Sequence, residues 1–126
     1  MLYYRTIWLS IGWFMLGIVW IMSLIPVPEP LNIEVNHIDK IEHFVAYFFL
    51  MSWFAQLYKK NTTRNKYAVG LIIMGIVIEI LQGLSKVRMF DPFDMLANTA
   101  GVLLAWHYIK NDLANILFRI ELWLKQ

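Results

Sequence analysis

The residues of this 126-residue chain whose types and spacing could do chemistry fall in three short stretches. In the first stretch, Asp39, His43 and Tyr47 stand four residues apart, which places them on one face of a helix. Successive members are separated by about 6 Å of rise, so the polar stripe extends over about two turns. Glu42 and Ala46 share this face, whereas the opposite face is apolar.

The second stretch places a carboxylate, Glu79, and an amide, Gln82, on one face of a predicted helix. Gly75 and Gly83 lie beside them, and small residues at this spacing let a second helix approach closely. Glu79 lies more than one turn inside the helix end. A carboxylate at that depth in an apolar helix is costly unless it faces a partner, and we expect His43 and Arg88 as its partners.

The third stretch opens a predicted helix with two acids. Asp91 directly precedes Pro92, a pattern typical of an N-cap followed by the first helical residue. Asp94 falls in the first turn, where the positive end of the helix dipole favours a carboxylate. Asn98 follows on the face of Asp94 and could hydrogen-bond another helix. Arg88, in the preceding loop, could extend to the lipid headgroups or fold back over the acids.

These groups allow two kinds of chemistry. A buried Glu79 near His43 could form a general acid–base pair, because burial raises the pKa of a carboxyl group. A divalent metal could be held by Asp39, His43, Glu79 and Asp94. We favour a hydrogen-bond network without metal or cofactor, and no serine or threonine lies on these faces as an obvious nucleophile.

The elements that position these residues are predicted to be membrane helices. The chain is 60% hydrophobic and 16% charged, whereas a soluble domain is usually about 45–50% apolar and about 25% charged. A spanning helix needs about 20 mostly apolar residues. We predict one all-α domain over residues 1–126 with four spans, at about 6–25, 40–58, 67–84 and 93–109.

The remaining segment, 111–126, is predicted to be an amphipathic helix on the inner leaflet. Its polar face would carry Asp112, Asn115 and Arg119. Its apolar face has helical spacing and consists of Leu113, Ile116, Leu117, Ile120 and Leu124.

Charge and cysteine usage narrow the class further. Eight of the eleven basic residues fall on the side of the two termini, and cytoplasmic loops carry the excess of Lys and Arg. Both termini are therefore predicted to be cytoplasmic. The net charge of +2 is too small to indicate nucleic acid binding. The absence of cysteine excludes disulfides, thiol catalysis and cysteine-ligated zinc.

The ordered set of polar residues resembles the VanZ-like family of small bacterial membrane proteins. The resemblance is carried by D39-K40-x-x-H43-x-x-x-Y47, E79-x-x-Q82 and R88-x-x-D91-x-x-D94-x-x-x-N98-x-x-G101. It implies a multi-pass protein of the bacterial cytoplasmic membrane. It also suggests a link to low-level resistance to the glycopeptide teicoplanin, the trait that named the family.

Three functions remain open from the sequence. The polar cluster could bind or modify an envelope lipid, a lipid-linked wall intermediate or a lipoglycopeptide, it could be a membrane-embedded catalytic site, or it could only tie helices together. Membrane lipids are the expected partners, and homo-oligomers are left open. The predicted binding residues are Asp39, His43, Tyr47, Glu79, Gln82, Arg88, Asp94 and Asn98.

Overall fold

The computed structural model describes residues 2–25, 36–85, 91–109 and 115–126, except for the side chains of 36–39 and 109. These residues form five helices and no strand, which confirms the all-α prediction. The helices are α1 (Arg5–Leu24), α2 (Asn36–Leu57), α3 (Asn61–Leu84), α4 (Pro92–Ile109) and α5 (Ile116–Leu124).

Two helices begin earlier than the apolar runs predict. The predicted starts were 40 for α2 and 67 for α3, but the helices begin at Asn36 and Asn61. The apolar run marks the part of a helix that suits lipid, whereas the helix itself continues through polar turns. In α3 this polar start is held by Arg64, whose Nε donates to the carbonyls of Ala55 at 2.9 Å and Tyr58 at 2.7 Å.

Inter-helix contacts give the chain an up-and-down course. The start of α1 meets the end of α2 where Arg5 Nε donates to the Leu57 carbonyl at 3.0 Å. The end of α1 meets the end of α3, and the starts of α2 and α4 lie together. We call this second region, where α1 and α3 end and α2 and α4 begin, the Asp94 end. The opposite region, which includes α5, is the Glu121 end.

The parallel helices α2 and α4 make the most extensive helix–helix contact, and a glycine makes this contact possible. A Cβ atom on Gly101 would collide with the carbonyl oxygen of Phe44 and lie 3.0 Å from the backbone nitrogen of Phe48. The two backbones approach closely only because residue 101 has no side chain.

The core lies between α2, α3 and α4, and α1 packs against it from one side. Phe54 and Met51 are fully buried in α2. In α1 only Gly12 is fully buried, beside Trp53 and Phe54. Large apolar side chains cover the outside of the bundle, as expected where the surrounding solvent is lipid.

Two of the described helices, α1 and α3, are long and apolar enough to cross a membrane by length and composition. The sequence predicted four such helices. Of the described helices, α2 and α4 contain no 18-residue stretch that is apolar enough by the same measure, so length and composition alone support two of the four predicted spans.

Candidate functional site

The Asp94 end carries a cluster of charged side chains contributed by α2 and the start of α4. Lys40 Nζ lies 3.0 Å from Asp91 Oδ2 and 3.7 Å from Asp94 Oδ1. Asp94 is only 6% exposed, although it belongs to the first turn of α4. A buried carboxylate needs a cation or hydrogen-bond donors, and Lys40 supplies a cation.

His43, one turn further along α2, contacts the second oxygen of the same carboxylate. Its Nε2 lies 3.7 Å from Asp94 Oδ2. His43 also lines a cavity of about 190 Å³ between α1 and α2, together with Val19, Met22, Ser23, Glu42, Ala46 and Tyr47. The imidazole therefore stands between an accessible cavity and a buried acid.

Glu79 is 1% exposed and accepts a hydrogen bond from the backbone N–H of Asp91 at 2.7 Å. Its carboxylate thus holds the start of α4 against α3. We expected His43 and Arg88 as partners of Glu79. His43 contacts the carboxylate of Asp94 and also interacts electrostatically with Glu79, and Arg88 lies outside the described residues.

Asp91 caps α4, as its position before Pro92 predicts. Its Oδ1 accepts the backbone N–H of Phe93 at 2.9 Å. The hydrogen bond from Lys40 lowers the pKa of Asp91 below its usual value. Desolvation opposes this shift, and the hydrogen bond from the Phe93 N–H adds to it. Asp91 therefore stays ionised at neutral pH and helps to hold Lys40 at the site.

Tyr47 and Asn98 extend the cluster into the bundle, where both are buried. They meet at Gly75: a Cβ atom there would lie 3.1 Å from Asn98 Nδ2 and 3.4 Å from Tyr47 Cε1. Within the part of the chain that the structure describes, Asn98 Oδ1 accepts no hydrogen bond. The site thus has a buried amide oxygen that remains able to accept one.

Gln82, a predicted binding residue on the face of Glu79, makes a contact with α1 that its face did not predict. Its Nε2 donates to the backbone carbonyl of Ser23 at 2.6 Å, so this buried amide ties the end of α3 to the end of α1. The structure therefore joins α1 to the site, and α1 was absent from the predicted cluster.

The predicted residues His43, Tyr47, Glu79, Asp94 and Asn98 come together at the Asp94 end. Asp39 lies in α2, but its side chain is outside the described residues. Among the residues described, no three His, Asp or Glu side chains are grouped closely enough to hold a metal ion.

Lys40 and Ser23 were not among the predicted binding residues. Lys40 lies seven residues before Tyr47, almost on the same helical face, and this spacing could have placed it in the cluster. Ser23 stands near the end of an otherwise apolar helix, and nothing in its local sequence connects it with His43.

At the other end of the bundle, α5 docks through Leu117 and Glu121, which are both buried. Glu121 accepts hydrogen bonds from the backbone N–H groups of Tyr3 and Tyr4, both at 2.8 Å, and from the indole of Trp8 at 2.6 Å. Of the predicted apolar face, Leu117 packs against the bundle, whereas Ile116, Ile120 and Leu124 are exposed.

The fold and the polar end define a class: a small helical membrane protein with charged groups packed inside one end of its bundle. The particular family follows from comparison with family models. The VanZ/LLP1 model matches residues 1–118, and the chain belongs to this family. No curated protein and no solved structure matches it significantly.

Proposed function

We propose that the cavity beside His43 binds the polar headgroup of an amphiphile from the outer leaflet of the bacterial cytoplasmic membrane. One observation carries the proposal. His43 lines a cavity between α1 and α2, and the same imidazole lies 3.7 Å from the buried carboxylate of Asp94. Asp94 can orient the imidazole while the other ring edge meets a ligand.

The proposed topology has four membrane-spanning helices and both termini in the cytoplasm. Charge supports this orientation, because the Glu121 end carries most of the Lys and Arg residues. In α2 the polar residues Lys40 and His43 turn toward α4, whereas Ile41, Val45 and Phe49 are exposed. An apolar outer face around a polar interior is the arrangement expected for a helix that crosses lipid.

The size and lining of the cavity favour a particular kind of ligand. Pockets that enclose drug-sized molecules measure about 300–1,000 Å³, whereas this cavity measures about 190 Å³. It can therefore hold a headgroup while an acyl chain lies outside along the apolar Val19 and Met22. Glu42, His43 and Ser23 offer acceptors and donors for hydroxyl or amine groups.

Such groups occur in the three ligand classes that the sequence leaves open: an envelope lipid, a lipid-linked wall intermediate and a lipoglycopeptide. Teicoplanin belongs to the third class. A protein that holds it in the membrane would lower the amount that reaches its target, so low-level teicoplanin resistance is part of the proposal.

Catalysis is the second candidate function, favoured by Ser23. Ser23 and His43 line one cavity, and Asp94 contacts His43. A hydroxyl, an imidazole and a carboxylate are the groups of a nucleophile–base–orienter set. Under this alternative, Ser23→Ala would abolish turnover and leave ligand binding intact.

The proposal is tested with His43→Ala and a matched control, His107→Ala. His107 is an exposed histidine of α4 near the Glu121 end, outside the lining of the cavity. Each variant is reconstituted into lipid vesicles, and the binding of teicoplanin is measured by fluorescence, together with the thermal stability of the protein and the teicoplanin susceptibility of the expressing cells.

We expect His43→Ala to keep its stability, to bind teicoplanin at least tenfold more weakly and to lose any protection, while His107→Ala matches the wild type. Equal binding by a stable His43→Ala protein would contradict the proposal. Loss of the fold on replacement of either His43 or Glu79 would favour the reading in which the polar network only ties helices together.

A further inference from the structure

A second cavity, of about 520 Å³, lies at the Glu121 end of the bundle. It is bounded by the start of α1, the connection between α2 and α3, and the start of α5. Among the described residues, the cationic side chains that line it are Arg5, Lys59, Lys60 and Arg64, and no described carboxylate lines it.

The two arginines are fixed in place by backbone carbonyls of α2 and of Tyr58, which directly follows it. Arg5 donates through Nε to the Leu57 carbonyl, and its guanidinium lies 4.7 Å from the centre of the Tyr58 ring. Arg64 donates through Nε to Ala55 and Tyr58. Across the described ranges, the Nη groups of both arginines make no hydrogen bond, so these donors are preorganised for an anion.

The start of α3 adds backbone donors to the same wall. Its N-cap residue, Lys60, makes no side-chain capping hydrogen bond, and the first turn contains no acidic residue. Thr63, in that first turn, lines the cavity. The N–H groups of an uncapped helix start attract anions, and phosphate in particular.

We propose that this cavity binds a phosphate group. Guanidinium groups, ammonium groups and helix N–H donors together form the usual recognition set for phosphate. The phosphate can come from the headgroup of an anionic phospholipid in the inner leaflet or from a small soluble phosphate. Leu2 and Phe118 line the cavity beside the cations and supply apolar surface on which the glycerol region of a lipid can rest.

The test compares Lys59→Ala/Lys60→Ala with Lys66→Ala/Arg119→Ala. All four side chains are exposed, both double variants lose two positive charges, and only the first pair lines the cavity. Purified protein in detergent is titrated with phosphatidylglycerol, phosphatidylcholine or inorganic phosphate. Binding is followed by native mass spectrometry and by the rise in melting temperature.

We expect the wild type to bind phosphatidylglycerol in preference to phosphatidylcholine. Each lysine near a membrane surface contributes about a fivefold gain in affinity for anionic lipid, so loss of both lysines from the cavity should weaken binding by more than tenfold. The Lys66→Ala/Arg119→Ala protein should retain wild-type binding.

Inorganic phosphate distinguishes the two sources. If millimolar phosphate stabilises the protein and displaces phosphatidylglycerol, the cavity recognises phosphate itself; if only the lipid binds, the glycerol and acyl groups are part of the recognition. Equal weakening by the two double variants, or equal binding of phosphatidylglycerol and phosphatidylcholine, would overturn the proposal.

Discussion

His43 in α2 and Asp94 in α4 face each other across the closest helix pair of the bundle, with 3.7 Å between His43 Nε2 and Asp94 Oδ2. The other oxygen of Asp94 lies 3.7 Å from Lys40 Nζ. A single buried carboxylate thus links a cation at the bundle end to an imidazole that lines a cavity. This relationship leads to separate predictions for stability and for binding.

Replacing Lys40 by Met should destabilise the protein by about 1.5–3 kcal/mol, the usual worth of a hydrogen bond to a charged group. The substitution removes the 3.0 Å contact with Asp91 and leaves Asp94 with one cation fewer. The free energy of unfolding in detergent micelles measures the effect. The control is Lys66→Met, at an exposed position of α3. It should change the free energy of unfolding by less than about 0.5 kcal/mol.

Gly101→Ala should destabilise the protein by about 1–3 kcal/mol, the usual cost of overpacking a tight contact. The new methyl group would collide with the backbone of α2 at Phe44, and a backbone cannot move aside as a side chain can. Gly17→Ala is the control, because no atom lies within 4 Å of a Cβ at that position. Equal melting temperatures for the two variants would contradict the close approach of α2 and α4.

The clamp between Glu121 and the start of α1 should make stability depend on pH. Burial acts to raise the pKa of Glu121, but the N–H groups of Tyr4, Tyr3 and Trp8 and the charge of Lys125 lower it below the usual 4.5. A lowered pKa in the folded state stabilises the fold at higher pH, and this contribution is lost as pH falls below about 4.5 toward the folded-state pKa.

Glu121→Gln tests the clamp directly. Glutamine has one acceptor oxygen fewer and would turn an NH₂ group toward N–H donors, so we expect a loss of about 1.5–3 kcal/mol at pH 7. The difference between wild type and variant should narrow as pH falls below about 4.5. A difference that stays constant with pH would argue against an ionised Glu121.

Glu79 should tolerate an amide better than an apolar side chain. Gln at this position keeps an oxygen that can accept the N–H of Asp91, which Glu79 now binds at 2.7 Å, whereas Leu leaves that N–H without its acceptor. We expect Glu79→Leu to lose about 1–3 kcal/mol more stability than Glu79→Gln. Chemical denaturation in micelles would measure this difference in the free energy of unfolding. Equal stability of the two variants would contradict the assigned hydrogen bond.

The sequence predicted the all-helical fold, and it placed several polar residues that the structure brings together, because both depend on local patterns. The i, i+4 spacing of His43 and Tyr47 places them on one face, and Asp91 before Pro92 is a local capping signal that the structure confirms. The helices α2 and α3 begin four and six residues before the predicted apolar spans, because polar residues such as Asn61 and Arg64 continue the helix beyond its apolar part.

The contacts that depend on distant residues could not be predicted in the same way. Gln82 donates to the carbonyl of Ser23, 59 residues away, and Glu121 caps a helix start at Tyr3 and Tyr4. A backbone N–H or carbonyl group occurs at almost every residue, so no residue type marks the partner in the sequence. Tertiary packing alone selects it.

The most direct test of the central claim is to locate the residues that an amphiphile contacts. Wild-type protein in vesicles is exposed to teicoplanin that carries a photoactivatable group, and crosslinked peptides are located by mass spectrometry. We predict crosslinks to the cavity lining, at residues 19–23 and 42–47, that are lost in His43→Ala and retained in His107→Ala. Crosslinks that avoid these residues, or that persist unchanged in His43→Ala, would contradict a headgroup site at His43.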